Sequence, residues 1–162
     1  MKALICNEFG STKNLTLEEV KSPEPGAGQV LIDVHAAGIN FPDVLTVQGK
    51  YQFKPSLPFT PGIEVSGVIK KVGKDVKMRK VGDEVISTLQ TGAFASEVVT
   101  SENSTFLKGN MSFEQAAGFA LTYGTSYYAL KQRARLVAGE TVLVLGAAGG
   151  VGVATIQLAK AM

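Results

Sequence analysis

The stretch "TVLVLGAAGGVGVATIQLAKAM", Thr141 to Met162, constrains the fold more than any other part of this 162-residue sequence. A short apolar run enters a cluster of glycines and leaves as a second apolar stretch with helical spacing. Gly146, Gly149 and Gly152 stand at three-residue intervals. A chain that leaves a buried strand, reverses tightly and starts a helix packed against that strand favours residues without a Cβ at each step. The first turn of such a helix offers unpaired N–H groups and the positive end of its dipole to an anion. A bare glycine triplet is weak evidence. Here the strand-like "TVLVL" before it and the helix-like "VATIQLAK" after it supply the context that dinucleotide binding requires. Gly146, Ala147, Ala148, Gly149, Gly150, Val151 and Gly152 are therefore the candidate cofactor-binding residues. A tight strand-to-helix turn without a ligand is the alternative.

Only ten residues follow Gly152. A βαβ unit takes roughly 30 residues or more, and the residue that reads the adenosine ribose lies about 20 positions beyond the motif. A lone strand and helix cannot bury both faces of that strand. The expectation is that the chain is an N-terminal fragment of a longer protein, binding no NADPH and turning over no substrate by itself. A membrane span is not expected at this end, because the apolar core from Val142 to Ala154 is shorter than the roughly 20 residues such a helix needs.

Composition narrows the classes further. The chain is 45% hydrophobic and 19% charged, as in a soluble globular protein. A net charge of +2 gives neither a nucleic-acid footprint nor a polybasic anchor. The single cysteine, Cys6, excludes an internal disulfide and fits a reducing, cytoplasmic compartment. In its apolar run it reads as a small buried hydrophobe.

Up to about Leu107 the sequence reads as short strands and turns. "KALICN" and "LTLEEV" are strand-sized, and "SPEPGAG" is a loop. "VLIDVHAAGIN" alternates, with Val30, Ile32, Val34 and Ala36 on one face and Leu31, Asp33 and His35 on the other. Beyond Lys108 the pattern turns helical. Ser112 and Gln115 make an S-x-x-Q capping box, and "TSYYALKQRARL" continues with helix formers. A mostly β part, residues 1–118, is thus expected to precede an α/β part, residues 119–162.

The ordered motifs "AAGINFPDVLTVQGKYQ", "SLPFTPGIEVSGVIKKVG", "VGDEV", "GAFASEVV", "LTYGTSYYAL" and "VLGAAGGVG" resemble the medium-chain dehydrogenase/reductases, and within them the zinc-independent NADPH:quinone oxidoreductases of the zeta-crystallin group. The resemblance covers essentially the whole chain. It implies a mostly β GroES-like barrel domain followed by the first βα unit of a Rossmann domain. For the full-length parent it implies NADPH as cofactor, a small quinone or enone as substrate, no nucleic-acid or membrane partner, and a homodimer. An enoyl-thioester reductase of the same superfamily is the alternative, as is a non-catalytic domain.

Zinc-dependent relatives place a cysteine after the third strand and a histidine before the glutamate of a G-H-E motif. This sequence has Asn40 and Ile63 at those positions, and no four-cysteine lobe. Nitrogen and sulfur donors dominate catalytic zinc sites, so zinc is not expected. His35, the one histidine, reads as a solvated or structural residue beside Asp33. The resemblance points instead to Asn40, Asp43 and Tyr51 as catalytic residues and to Thr122 beside the nicotinamide. Tyr51 would donate its phenolic proton and Asn40 its amide N–H to the developing oxyanion, with Asp43 orienting both. Asn40 and Asp43 also read as a helix cap with a first-turn acid. Glu64, between Ile63 and Val65, reads as buried and paired rather than catalytic.

Overall fold

In a computed structural model, residues 1–162 are all described. They form two compact units, Met1–Gly118 and Phe119–Met162.

The first unit is built on an antiparallel sheet whose spatial order is β6-β3-β4-β5-β7. Its strands are β3 (Gln29–Gly38), β4 (Glu64–Val72), β5 (Glu84–Thr88), β6 (Glu97–Ser101) and β7 (Thr105–Leu107). A hairpin-like pair, β1 (Lys2–Ile5) and β2 (Thr16–Glu19), joins it through single bridges from Ala3 to Ala95 and from Cys6 to Phe59. The β-branched content of "VLIDV" and "EVSGVI" favours extended backbone, and one face of these strands closes on a core of Val30, Ile32, Val65, Ile69, Val85, Ala93 and Val98. Cys6 is buried with Val47 and Phe59 in a smaller cluster.

Alternation along β3 holds only in part. Leu31, assigned by period to the polar face, is fully buried alongside Val30 and Ile32. The shift between Leu31 and Ile32 puts its extra residue, Lys70, in β4, so Leu31 keeps its face; Val30 and Ile32 enter the main cluster while Leu31 is buried on the other side of the sheet. The opposite face of the sheet carries Glu64 and Ser66, and α2 (Phe113–Ala117) covers it. Ser66 Oγ donates to Phe113 O at 2.5 Å. The Ser112–Gln115 capping box forms, with Gln115 N–H to Ser112 Oγ at 3.2 Å and Ser112 N–H to Gln115 Oε1 at 3.1 Å. A short helix, α1 (Phe41–Val47), follows β3.

The second unit contains α3 (Ala120–Tyr127), a π-helical continuation over Tyr128–Ala134, and α4 (Gly150–Ala161). The helix expected over "TSYYALKQRARL" therefore changes its winding at Tyr128 and ends at Arg135, whose φ of 56° is left-handed. The strand expected over "TVLVL" is not formed. Strand structure needs a neighbour's N–H and C=O groups, and this unit supplies only helices, so Leu143 and Leu145 stand 84% and 85% exposed. No helix is long and apolar enough to cross a membrane.

The core predicts a simple stability test. Ile69 is fully buried in the main cluster, so Ile69→Ala is expected to lower the unfolding free energy by about 2–5 kcal/mol. Leu17→Ala, at a position 69% exposed, is expected to change it by less than about 0.5 kcal/mol. Chemical denaturation of both variants checks the contrast.

Candidate functional site

Two groups of polar or small residues stand out, one in each unit. The first lies where β3 ends. Gly38, the last residue of β3, pairs with Glu64, the first of β4. Glu64 is 1% exposed. A Cβ at Gly38 would overlap Ala117 O and the Glu64 carboxylate and stand 2.8 Å from Glu64 Cγ. Glycine at this position is what allows a carboxylate to sit between the sheet and the end of α2.

After Gly38 the chain turns through Ile39 into Asn40, the N-cap of α1, with φ −124° and ψ 153°. Pro42 sits in the first turn, where its missing N–H costs nothing. Asp43 returns its Oδ2 to the Asn40 N–H at 2.7 Å in a capping box. The Asn40 side chain reaches the other way. Its Nδ2 donates to Glu64 Oε1 at 2.9 Å and lies 3.5 Å from Gly38 O. A carboxylate and a carbonyl on one side fix the amide orientation, because both only accept and the nitrogen must face them.

Asp43 is 3% exposed, and its Oδ1 is buried without a hydrogen-bond partner. Burial pushes its carboxyl up from the ordinary carboxylate range; the Asn40 N–H pulls it down, and the charge on Glu64 adds to the rise.

The structure thus brings Asn40, Asp43 and Glu64 together. Tyr51 is half-buried, and its main-chain N–H bonds Leu45 O at 3.2 Å beyond the end of α1. Asp43 orients Asn40 but makes no hydrogen bond to Tyr51. The two occupy opposite ends of a seven-residue helix about 10 Å long. Of the Asn40 amide, Nδ2 donates to Glu64 Oε1, while its second hydrogen has only the 3.5 Å approach to Gly38 O. Glu64, which the sequence reads as buried and paired, is the partner that the sequence could not name for Asn40. Its signal was a lone carboxylate in an apolar strand run, opposite a glycine.

The second group is the glycine turn, where each glycine has a different cause. Gly146 has φ +72°, a conformation open to glycine at little cost. A Cβ at Gly152 would overlap Gly146 O and stand 2.8 Å from Ala147 Cα. A Cβ at Gly150 would come 3.0 Å from the Thr122 methyl, which places Thr122 against the turn. Thr122 Oγ1 also lies 3.5 Å from Phe119 O. Gly149, the N-cap of α4, has an ordinary φ of −79°, and a Cβ there would meet nothing closer than Gly146 O at 3.7 Å. Ala147 is half-buried, while Ala148 and Val151 are exposed beside it. Ser126 Oγ donates to Val151 O at 3.0 Å and receives Thr155 Oγ1 at 3.0 Å, which ties α3 to the start of α4.

Donor chemistry around Asn40 does not suit catalytic zinc, which favours nitrogen and sulfur ligands. Cys6 is in a core cluster, His35 packs against Phe113 with ring centroids 4.2 Å apart and planes tilted by 31°, and no three His, Cys, Asp or Glu side chains converge.

A GroES-like sheet with a polar corner at the end of β3, and a glycine turn into a helix, are the features of a medium-chain dehydrogenase/reductase. Residues 26–140 match the alcohol dehydrogenase GroES-like domain, and the chain belongs to that family. It is 45% identical over 161 residues to quinone oxidoreductase-like protein 2 homolog of Nematostella vectensis, covering 98% of this chain and 44% of that protein. Quinone oxidoreductase of Rattus norvegicus is 43% identical over 165 residues, covering 99% and 50%. The chain therefore spans about half the length of these relatives. Among solved structures, human synaptic vesicle membrane protein VAT-1 homolog-like protein superposes with a TM-score of 0.97 at 36% identity, over 100% of this chain and 53% of that one. CurK enoyl reductase gives 0.91 at 36%, over 99% and 51%. Mycobacterial Rv1454c complexed with NADPH gives 0.92 at 34%, over 99% and 50%.

The Asp43 carboxyl gives a pH prediction. Its folded-state pKa is raised, so the folded protein holds the proton more tightly than the unfolded chain. That contribution to stability is complete below the ordinary carboxylate range and is lost as pH rises through the folded value. Between about pH 4 and about pH 7, spanning the ordinary carboxylate range, the melting temperature of the wild type is expected to fall relative to that of Asp43→Asn, whose amide oxygen can still accept the Asn40 N–H. A wild-type advantage that grows with pH would contradict this assignment.

Proposed function

We propose that the native protein reduces a quinone or related α,β-unsaturated carbonyl with NADPH and without zinc. Residues 1–118 would contribute the substrate side and residues 119–162 the pyrophosphate end of the cofactor cradle. The observation that carries this is Gly149: the fold makes no demand for glycine there, yet its bare backbone caps α4, where a phosphate can meet free N–H groups. Gly146 shapes the turn and Gly152 packs it, which leaves close approach of a ligand as the role of the glycine between them.

Bound at this turn, NADPH would supply the hydride. Reduction of the conjugated carbonyl also takes up a proton, and the Tyr51 phenol is the candidate donor, with solvent as its substitute. Asn40 and Asp43 serve this role by holding the start of α1 rather than by donating to the oxyanion. The quinone-oxidoreductase relatives and the NADPH-bound neighbour support this assignment. A second reading, reduction of an enoyl thioester, is favoured by the likeness to CurK enoyl reductase.

NADPH oxidation by the native protein is expected with simple quinones at neutral pH, faster than with crotonyl thioesters. The reverse preference, with Tyr51→Phe abolishing thioester reduction, would establish the second reading. Gly149→Ala is expected to leave the melting temperature unchanged while raising the KM for NADPH about tenfold, the loss of one phosphate contact. Gly152→Ala is expected to destabilise by about 1–3 kcal/mol through overlap with the turn. Equal melting losses in both variants would remove the ligand-based explanation of Gly149. The 162-residue chain alone is expected to show no micromolar NADPH binding by nucleotide fluorescence.

A further inference from the structure

We infer that Glu64 is the positioning residue of the substrate side: its buried carboxylate locks the Asn40 amide, which fixes the start of α1 and through that helix the place of Tyr51. The inference rests on the proposed role of Tyr51 as proton donor.

Six hydrogen bonds run from Glu64 along α1 to Tyr51. Glu64 Oε1 receives the Asn40 Nδ2–H at 2.9 Å. The Asn40 main chain is tied to the first turn of α1 from both directions, by Asn40 N–H to Asp43 Oδ2 at 2.7 Å and by Asp43 N–H to Asn40 O at 3.0 Å. Thr46 Oγ1 then closes on Pro42 O at 2.8 Å, bracing the helix interior. At the far end Leu45 O receives the N–H groups of both Lys50 and Tyr51, at 2.8 and 3.2 Å. Gly49, with φ +68°, makes the turn that brings Tyr51 back to that carbonyl. Between β3 and Tyr51, α1 is the only regular element, so a helix start that is free to rotate would move the phenol with it.

Glu64 is suited to act as the fixed end. It sits in β4, the central strand of the sheet, paired to Gly38 on one side and to Thr88 on the other. Its neighbour Val65 belongs to the main core cluster. A carboxylate held there accepts hydrogen bonds and donates none, so it tolerates only one orientation of the Asn40 amide. A charge-assisted bond in such surroundings is stronger than a neutral one. A glutamine at position 64 would present either an oxygen or an NH2 group to Asn40, and the amide would lose its single orientation.

Nitrogen-15 NMR of the 162-residue chain tests the path without requiring activity. In the wild type the two Asn40 side-chain amide protons are expected well separated and slow to exchange. In Glu64→Gln the exchange is expected to accelerate about tenfold, the loss of roughly 1.4 kcal/mol of protection, and the Tyr51 main-chain amide to shift as well. The Val85 amide, in β5 opposite Gly67, should stay in place and so report an intact fold. Glu64→Asp, which keeps the charge but shortens the reach, is expected to move the same two residues. An unchanged Asn40 amide in either folded variant overturns the inference, and so does a changed Asn40 with an unmoved Tyr51.

In the native protein, Glu64→Gln is expected to lower kcat for quinone reduction by about 10²-fold, the scale of a small misplacement, with KM changed less. The double variant Glu64→Gln with Tyr51→Phe is expected to be no slower than Tyr51→Phe alone. Full additivity of the two substitutions overturns the inference, because Glu64 would then act independently of Tyr51. A wild type without quinone reductase activity would overturn the proposed function, and the NMR result would still decide the positioning role.

Discussion

Gly38 and Glu64 face each other across β3 and β4, and the start of α1 depends on that register. A shift of one residue would turn Glu64 toward the aliphatic core and Val65 toward α2. In the observed register the carboxylate lies under Ala117, in space that exists because residue 38 has no side chain. Burying a charged group is costly unless it is hydrogen-bonded. Here Asn40 meets Glu64 at the point where β3 gives way to α1. The same contact therefore satisfies a buried carboxylate and fixes where a helix begins.

Asp43 occupies the other side of this arrangement. One of its oxygens caps α1 and the other is buried without a partner. Two carboxylates in one shielded region, one bonded to the Asn40 side-chain amide and the other to its main-chain N–H, make the start of α1 sensitive to charge. In the second unit the glycine turn works through absence rather than contact. Gly146 permits a left-handed turn, Gly152 permits close packing, and Gly149 leaves the start of α4 uncovered. Only the last of these has no structural cause within the chain.

The features legible in the sequence are those set by local chemistry. Ser112 and Gln115 read as a capping box because the spacing alone brings side chain to backbone, and the cap forms. Cys6 and Glu64 read as buried from their apolar neighbours, and both are. Features that depend on pairing were harder to read. Leu31 shares its face with Asp33 and His35 and looked solvent-facing, but that part of the sheet is covered as well. "TVLVL" has the composition of a strand and no partner to make it one. The Asn40 amide had a plausible ligand-facing role by resemblance; its actual direction is set by Glu64, 24 residues away in sequence.

The contact between Glu64 and Asn40 can be measured directly by a double-mutant cycle on the unfolding free energy of the 162-residue chain. Glu64→Met and Asn40→Ala each remove one partner, and the double variant removes both. A coupling energy of about 1.5–3 kcal/mol, the range for a hydrogen bond to a charged group, is expected. A coupling indistinguishable from zero would mean that the two side chains do not hold each other, and that α1 and Tyr51 take their positions from something else.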